Sequence, residues 1–394
     1  MNRLNLAQSW SLETNAWFGI GASRRLPEWL SARGCVRPSL VVDEAVAVLP
    51  TTQTLLAGWN AQGMRLVKTH LAHSTQEPDY AYLDEAAETF RGVETDLIIG
   101  MGGGSTLDLA KGIGLLLRND GPSLAYRGMD RVRHPGVPVV LLPTTAGSGS
   151  EVTATASFID RTSRTKLGIN GRHVGCLLSV LDPELLASCP VWVTIGSGLD
   201  ALVHAVEAVT ATTAHAVSVL FGVEAARLLF AGLPMAVREP SNLEARANTF
   251  LGSHYAGMAM RNVGGGPASG ISYPLGVHHG VPHGFAGGIL LPHVVRFNVA
   301  NGYTGYAQLS ERLDHVPARS RVSDADKAAA FEEACWALYD DLGAPTGLTR
   351  WGVRRQDVER LVDLTVTQRQ ANLHVNPVPC GRDEVTALLE AVTE

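Results

Sequence analysis

The chain reads as an α/β domain built on a parallel sheet, residues 1–188, followed by an all-helical domain, residues 189–394. Three observations lead there. Up to about residue 185, short β-branched runs alternate with helical stretches, the pattern of a parallel sheet covered on both faces. Two of those runs end in loops rich in glycine and hydroxyl residues. After Pro190 the texture changes to alanine-rich helical periods, and strand-like alternation disappears. The boundary falls near 186–192, where Leu186-Ala187-Ser188-Cys189-Pro190 breaks regular structure.

The elements follow in order. Ser39-Leu40-Val41-Val42 reads as a buried strand ending at Asp43, and Arg65-Leu66-Val67-Lys68 as a second strand. Leu97-Ile98-Ile99-Gly100 is a third, running through Met101-Gly102-Gly103-Gly104-Ser105-Thr106 into a helix at Leu107-Asp108-Leu109-Ala110-Lys111. Strand, glycine turn and helix together present backbone N–H groups and a helix N-terminus to a phosphate. Pro138 opens a fourth strand, Val139-Val140-Leu141-Leu142, a position that a strand's first residue tolerates. Pro143-Thr144-Thr145-Ala146-Gly147-Ser148-Gly149-Ser150-Glu151 then gives a second polar rim. Beyond Pro190, helical periods run through 200–235 and 326–342.

Composition narrows the function. The 394 residues suffice for two cores, and 45% are hydrophobic. A net charge of -6 without basic runs argues against a nucleic-acid partner. Five cysteines with no C-x-x-C pair read as reduced thiols of a cytoplasmic protein. No signal core opens the chain, and no uncharged run reaches about 18 apolar residues, so no membrane partner is expected.

Chemistry concentrates further on. Asp200 and His204 stand four apart in the apolar stretch Gly198–Glu207, one turn from each other on one helical face. Pro282-His283-Gly284 follows about eighty residues later. A carboxylate and imidazoles aimed at one point suit a divalent metal such as Fe(II) or Zn(II). An exposed Asp and a core His on a surface helix have the same spacing, so the pair alone leaves both readings open. Asp43, at a strand end, is either an ordinary turn residue or an acceptor for ribose hydroxyls that would repel a 2′-phosphate, and the second reading favours NAD(H) over NADP(H).

From about Trp17 to its end the chain resembles the iron-activated, group III alcohol dehydrogenases. The likeness rests on GGGSTLDLAK at 102–111, PTTAGSGSEVT at 143–153, LDPELL at 181–186, GLDALVHAVEA at 198–208 and PHGFAGGILLPHVVRFN at 282–298. It implies a Rossmann-like nucleotide-binding domain, an all-helical metal-binding domain, an architecture shared with dehydroquinate synthases, and a metal between the two. It also implies a small aldehyde or alcohol as substrate and a homodimer. By the same likeness Gly102, Gly103, Gly104 and Ser105 contact the pyrophosphate. Thr144, Thr145 and Ser148 hold phosphate or ribose, and Lys166 lies near the nicotinamide ribose. Asp200, His204 and His283 match three metal ligands.

The family's fourth ligand, a histidine, falls on Ser269 in this chain, and a further histidine that relays a proton falls on Tyr273. Three outcomes stand open at Ser269. Three protein ligands and a water hold the metal, His278 or His279 replaces the missing ligand, or metal binding is lost. Tyr273 and His279 are the candidate proton relays. A cyclising lyase on the same fold, or a cofactor-binding protein with a degenerate metal site, are the alternatives to a dehydrogenase. Arg261 and Arg296 flank the metal segment and are candidates to hold an anionic substituent such as phosphonate, sulfonate or carboxylate.

Overall fold

A computed structural model of the chain describes residues 10–12, 14–73, 77–313 and 323–393. It divides into two compact units: Glu13–Pro190 with Pro240–Phe250, and Val191–Glu239 with Leu251–Glu394 and the segment up to Leu12.

The first unit is built on six strands: β1 (Ala16–Phe18), β2 (Pro38–Asp43), β3 (Lys68–Ala72), β4 (Leu97–Gly102), β5 (Val139–Pro143) and β6 (Leu178–Leu181). Their order is β1-β6-β5-β4-β2-β3, and all five pairings are parallel. Helices α1 (Pro50–Ala61), α2 (Tyr80–Glu88) and α3 (Gly104–Leu116) cover the faces. Val41, Ile98 and Leu141 join one core with Leu83, Leu107 and Ile113, while Val42, Ile99 and Leu142 point to the opposite core with Leu30, Leu55 and Trp59. Burial on both faces is why β4 and β5 read as unbroken apolar runs.

The edge strand differs from the sequence expectation. The run at 65–68 overlaps it only at its last residue, because ladder pairing begins at Lys68, opposite Ser39. Register with β2 sets this start. Leu66 packs against the core as the chain enters, and within the strand Thr69 and Leu71 face outward. An edge strand with one open face lacks the continuous apolar signal of its neighbours.

Register also lines up the loops. Gly102 pairs with Pro143 and Val42 with Met101, so Asp43, the glycine loop and the hydroxyl loop all leave the same carboxyl edge. The chain moves from β2 outward to β3 and returns on the other side of β2 at β4. The crevice between β2 and β4 is therefore the switch point at which open parallel sheets bind ligands.

The second unit is helical. Its members include α4 (Val191–Thr210), α5 (Ala216–Arg238), α6 (Pro267–His279), α7 (His283–Ala300), α8 (Asp324–Leu342), α9 (Val358–Gln368) and α10 (Gln370–His374). α4 is its central helix: Leu199, Leu202, Val203 and Val206 pack in one core with Ile271 and Leu275 of α6 and Phe285 and Ile289 of α7. The helical period expected through 200–235 is interrupted after Thr210. His215 begins a new helix there, its Nδ1 accepting from the Ser218 N–H at 3.3 Å while its own N–H donates to Ser218 Oγ at 3.0 Å. α5 is long and apolar enough to cross a membrane. It nevertheless carries the paired Glu224 and Arg227, and Ala225, Leu229 and Leu233 lie in the core.

Candidate nucleotide loops and metal centre

At the carboxyl edge of the sheet the two loops are bound to each other. The Thr144 N–H donates to the Gly102 carbonyl at 2.9 Å. Gly103 is the N-cap of α3 and has no side chain to cap it, so among the described residues the first-turn N–H groups of Gly104, Ser105 and Thr106 have no side-chain cap. A Cβ on Gly104 would lie 2.5 Å from Ser148 Oγ, and one on Gly103 would meet Thr145 at 3.5 Å. Only glycine lets the hydroxyl loop close over the helix end this tightly. An uncapped helix N-terminus ringed by Thr144, Thr145 and Ser148 fits a pyrophosphate.

The loop is braced from inside. Asp108 accepts from Ser150 Oγ at 2.6 Å and from the Ser157 N–H at 2.9 Å. Lys111, 1% exposed, donates to the Ser150 carbonyl at 2.7 Å and lies 3.2 Å from Asp108. A buried ammonium is tolerated only when paired and hydrogen-bonded, and here both conditions hold.

Two other expected contacts have local partners as well. Asp43 Oδ1 accepts from the Ala45 and Val46 N–H groups at 2.9 and 3.2 Å, capping the short helix Glu44–Ala47. Lys166 donates to Glu77 at 2.7 Å from a two-stranded hairpin, Ile159–Asp160 with Thr165–Lys166. A groove of about 750 Å³ lined by Glu88, Arg91, Thr95, Arg118 and Val137 lies at the amino ends of β4 and β5, away from these loops.

In the helical unit Asp200, His204 and His283 come together, their ligand atoms all within 4.8 Å of one another. The two imidazoles aim the same nitrogen at one oxygen: His204 Nε2 lies 3.7 Å and His283 Nε2 3.9 Å from Asp200 Oδ1. Neither separation is a hydrogen bond. Ligand atoms around a tetrahedral metal with bonds near 2.0–2.2 Å stand about 3.3–3.6 Å apart, so small movements would close the set. One carboxylate and two imidazoles suit Fe(II) or Zn(II), with open positions left for a substrate.

The triad is assembled by the crossing of α4 and α7. Asp200 and His204 occupy successive turns of α4, and His283 is the first residue of α7, behind Pro282. A Cβ on Gly284 would lie 2.1 Å from the Gly196 carbonyl oxygen and 3.1 Å from Asp200 Cβ. The glycine after His283 is what allows the start of α7 to rest on the backbone of α4.

Ser269 does not join the cluster. Its hydroxyl donates to Glu207 Oε2 at 2.5 Å, and its N–H donates to Oε1 at 3.2 Å. Glu207 also accepts from the Gly266 and Ala268 N–H groups at 2.7 and 2.8 Å, so a buried carboxylate from α4 caps α6. Burial pushes the Glu207 carboxyl up, while the Ser269 hydroxyl, the Gly266 and Ser269 amides and nearby His204 favour its charged form. His278 and His279 also stand outside the three-ligand cluster among the described residues. His278 Nδ1 lies 3.4 Å from Arg360, and His279 is the half-buried last residue of α6.

One turn on from Ser269, Ser272 reaches His283. Its hydroxyl donates to the Ser269 carbonyl at 2.7 Å and lies 3.3 Å from His283 Nδ1. A hydroxyl has one proton. Since the carbonyl takes it, the Ser272 oxygen accepts from His283 Nδ1–H, and Nε2 keeps the lone pair that faces Asp200. His204 differs: its Nδ1 is buried with no hydrogen-bond partner among the described residues.

The Tyr273 ring lies 5.1 Å from His283, and the Arg369 guanidinium sits 3.7 Å from the Tyr273 ring centre. The two arginines expected near the metal segment are engaged elsewhere. Arg296 pairs with Glu332 at 2.7 Å and covers Trp336, and Arg261 donates to Ser11 Oγ at 3.1 Å. Sequence reasoning missed Glu207, Ser272 and Arg369. An acid inside the apolar α4 was a usable signal for Glu207, but Ser272 and Arg369 become visible only in three dimensions.

Family comparisons cover the chain in succession. The iron-containing alcohol dehydrogenase family matches residues 13–183, and the C-terminal part of the Fe-containing alcohol dehydrogenase family matches 194–393. The class is that of NAD(P)-dependent, metal-dependent oxidoreductases acting on CH–OH groups. The chain belongs to the iron-containing alcohol dehydrogenase family. Its sequence is 35% identical to the NAD-dependent methanol dehydrogenase of Bacillus methanolicus over 72% of this chain and 74% of that one. It is 31% identical to the sulfoacetaldehyde reductase of Bilophila wadsworthia over 95% and 96%. The solved sulfoacetaldehyde reductase of Bifidobacterium kashiwanohense, in complex with NAD+, superposes with a TM-score of 0.87 at 25% identity, covering 99% of this chain and 100% of that one.

Proposed function

We propose that the chain is a metal-dependent, NAD(H)-linked reductase of a small aldehyde, or dehydrogenase of the matching alcohol, whose substrate carries a phosphonate, sulfonate or carboxylate. The observation that carries the reading is the convergence of His204 Nε2 and His283 Nε2 on Asp200 Oδ1. In this reading Asp200, His204 and His283 hold Fe(II) or Zn(II), which when bound supplies Lewis acidity at the substrate oxygen. The nicotinamide provides the hydride chemistry. The chain's own residues do the rest. The uncapped end of α3, with Gly102, Gly103, Gly104, Ser105, Thr144, Thr145 and Ser148, holds the pyrophosphate. Asp43, at the end of β2, disfavours a 2′-phosphate and so favours NAD(H). Ser272 holds His283 with Nε2 directed inward. Tyr273, against His283, is the first candidate to pass a proton, ahead of His279.

Support for an anionic substrate comes from the Bilophila relative, a sulfoacetaldehyde reductase that matches 95% of this chain. Five free cysteines suit a reducing, cytoplasmic setting, and a homodimer is the assembly proposed. The test is an NADH-oxidation assay on chelator-stripped protein against a panel of small aldehydes, with no metal, Fe(II) or Zn(II). Turnover should return with one of the ions. If no aldehyde is reduced under any of the three conditions, the reading fails.

A further inference from the structure

We propose that Arg369 is the anion-binding residue of this site. Its guanidinium, stacked on Tyr273 beside His283, receives the carboxylate, sulfonate or phosphonate of a short aldehyde whose carbonyl oxygen faces Asp200, His204 and His283. The inference rests on the function proposed above and adds to it the residue that selects the substrate.

The geometry is short-range and lies within one unit. Arg369 stands at the corner between α9 and α10, and its N–H donates to the Thr365 carbonyl at 2.8 Å. A Cβ on Gly270 would lie 3.6 Å from the Arg369 Cβ, so α6 packs directly against that corner. The side chain then lies over Tyr273 with Cζ 3.7 Å from the ring centre. Tyr273 in turn lies 5.1 Å from the His283 ring. The two legs together cap the distance from guanidinium to metal ligand. A metal–oxygen bond of about 2 Å, two or three carbon atoms at about 1.5 Å per bond, and a guanidinium–anion contact of about 4 Å span that range.

Stacking and recognition use different parts of the guanidinium. The ring takes its face, and the N–H donors radiate in its plane, where they match a planar or tetrahedral oxyanion. Charge points the same way. One carboxylate and two neutral imidazoles leave a bound divalent ion with a net positive charge, and Arg369 adds another nearby. An anionic substituent is attracted by both charges, whereas a neutral aldehyde is not. Arg261, Arg296 and Arg360 have contacts that lead elsewhere, to Ser11, to Glu332 and Trp336, and to His278. Arg369 reaches His283 through a single ring, that of Tyr273.

The test compares kcat/KM for NADH oxidation with sulfoacetaldehyde, phosphonoacetaldehyde and 3-oxopropanoate against that with propanal, using metal-loaded protein. Wild type should prefer at least one anionic aldehyde. In Arg369→Met that preference should fall on the order of 30- to 1000-fold, the loss expected when one partner of a desolvated charge contact is removed. The fall should appear in KM more than in kcat. Arg369→Lys should restore part of it, because the charge returns without the flat fork. An unchanged preference in Arg369→Met, or a wild type that favours propanal, overturns the proposal. If the variants do not fold, ethanesulfonate as a competitor of propanal reduction by wild type decides it: inhibition supports the anion site, and none at millimolar concentration overturns it. Propanal turnover separates the two readings. Metal-dependent reduction of propanal without any anion preference sinks the Arg369 assignment and leaves the aldehyde reductase standing. Failure to reduce any aldehyde removes both.

Discussion

At the residue scale the site depends on small groups that direct larger ones. Ser272 is one. Its proton goes to the Ser269 carbonyl, which makes it an acceptor for His283 Nδ1–H and leaves Nε2 facing Asp200 Oδ1. Outer partners of ligating histidines are worth about 10- to 100-fold in metal affinity. Ser272→Ala should therefore weaken Zn(II) binding by that factor in a chelator competition, and Ser272→Thr should keep most of it. Equal affinity in Ser272→Ala would show that the imidazole needs no such partner. Asp43 is a second case. Its Oδ1 caps the helix Glu44–Ala47, and in the function proposed above the same carboxylate, at the end of β2, also disfavours a 2′-phosphate. Glycine is itself an adequate N-cap, within a few tenths of a kcal/mol, so Asp43→Gly should leave Tm nearly unchanged. It should narrow the ratio of kcat/KM for NADH over NADPH, because a repulsive charge is gone. A wild type that already prefers NADPH would refute the assignment of Asp43.

At the element scale the decisive contact is the one between the start of α7 and α4. Gly284 meets the Gly196 carbonyl with no room for a methyl group, since a Cβ would sit at 2.1 Å. Gly284→Ala must push the helices apart, at about 1–3 kcal/mol for overpacking. Because His283 precedes Gly284, the same displacement carries a ligand away from Asp200 and His204. Thermal unfolding and metal titration should fall together, with at least about a tenfold loss in affinity if the outer-partner scale applies to this shift too. A drop in Tm with full metal affinity would mean that His283 is placed by something other than this crossing. What was legible beforehand follows from how local each signal is. β4 and β5 are buried on both faces, and their residues could be read one by one as apolar. That Asp200 and His204 lie together on α4 was legible because i and i+4 share a helical face. The edge strand β3 starts later than its composition suggests, because pairing with Ser39 sets its start. Ser269 could not be resolved from spacing. Its hydroxyl is aimed by Glu207, 62 residues away, and nothing local in the sequence encodes that bond.

At the scale of the whole molecule the two candidate functions fall in separate units. The glycine and hydroxyl loops belong to Glu13–Pro190, whereas Asp200, His204 and His283 belong to the helical unit. Each unit has its own core, so a lesion in one site has no structural reason to dismantle the other. His204→Ala puts this to the test. It removes one of three ligand atoms and empties a partly buried position whose Nδ1 has no hydrogen-bond partner among the described residues, so no second polar group is orphaned by the change. The loss should therefore be in metal binding and not in folding. Turnover of every aldehyde should fall to background, Zn(II) affinity should drop by orders of magnitude, and the NADH Kd from nicotinamide fluorescence should stay within about threefold, a difference of under 1 kcal/mol. Turnover that survives in a metal-stripped His204→Ala protein would reject the metal centre. Loss of NADH binding alongside turnover would instead show that the helical unit helps to hold the nucleotide, and the division of labour would have to be redrawn.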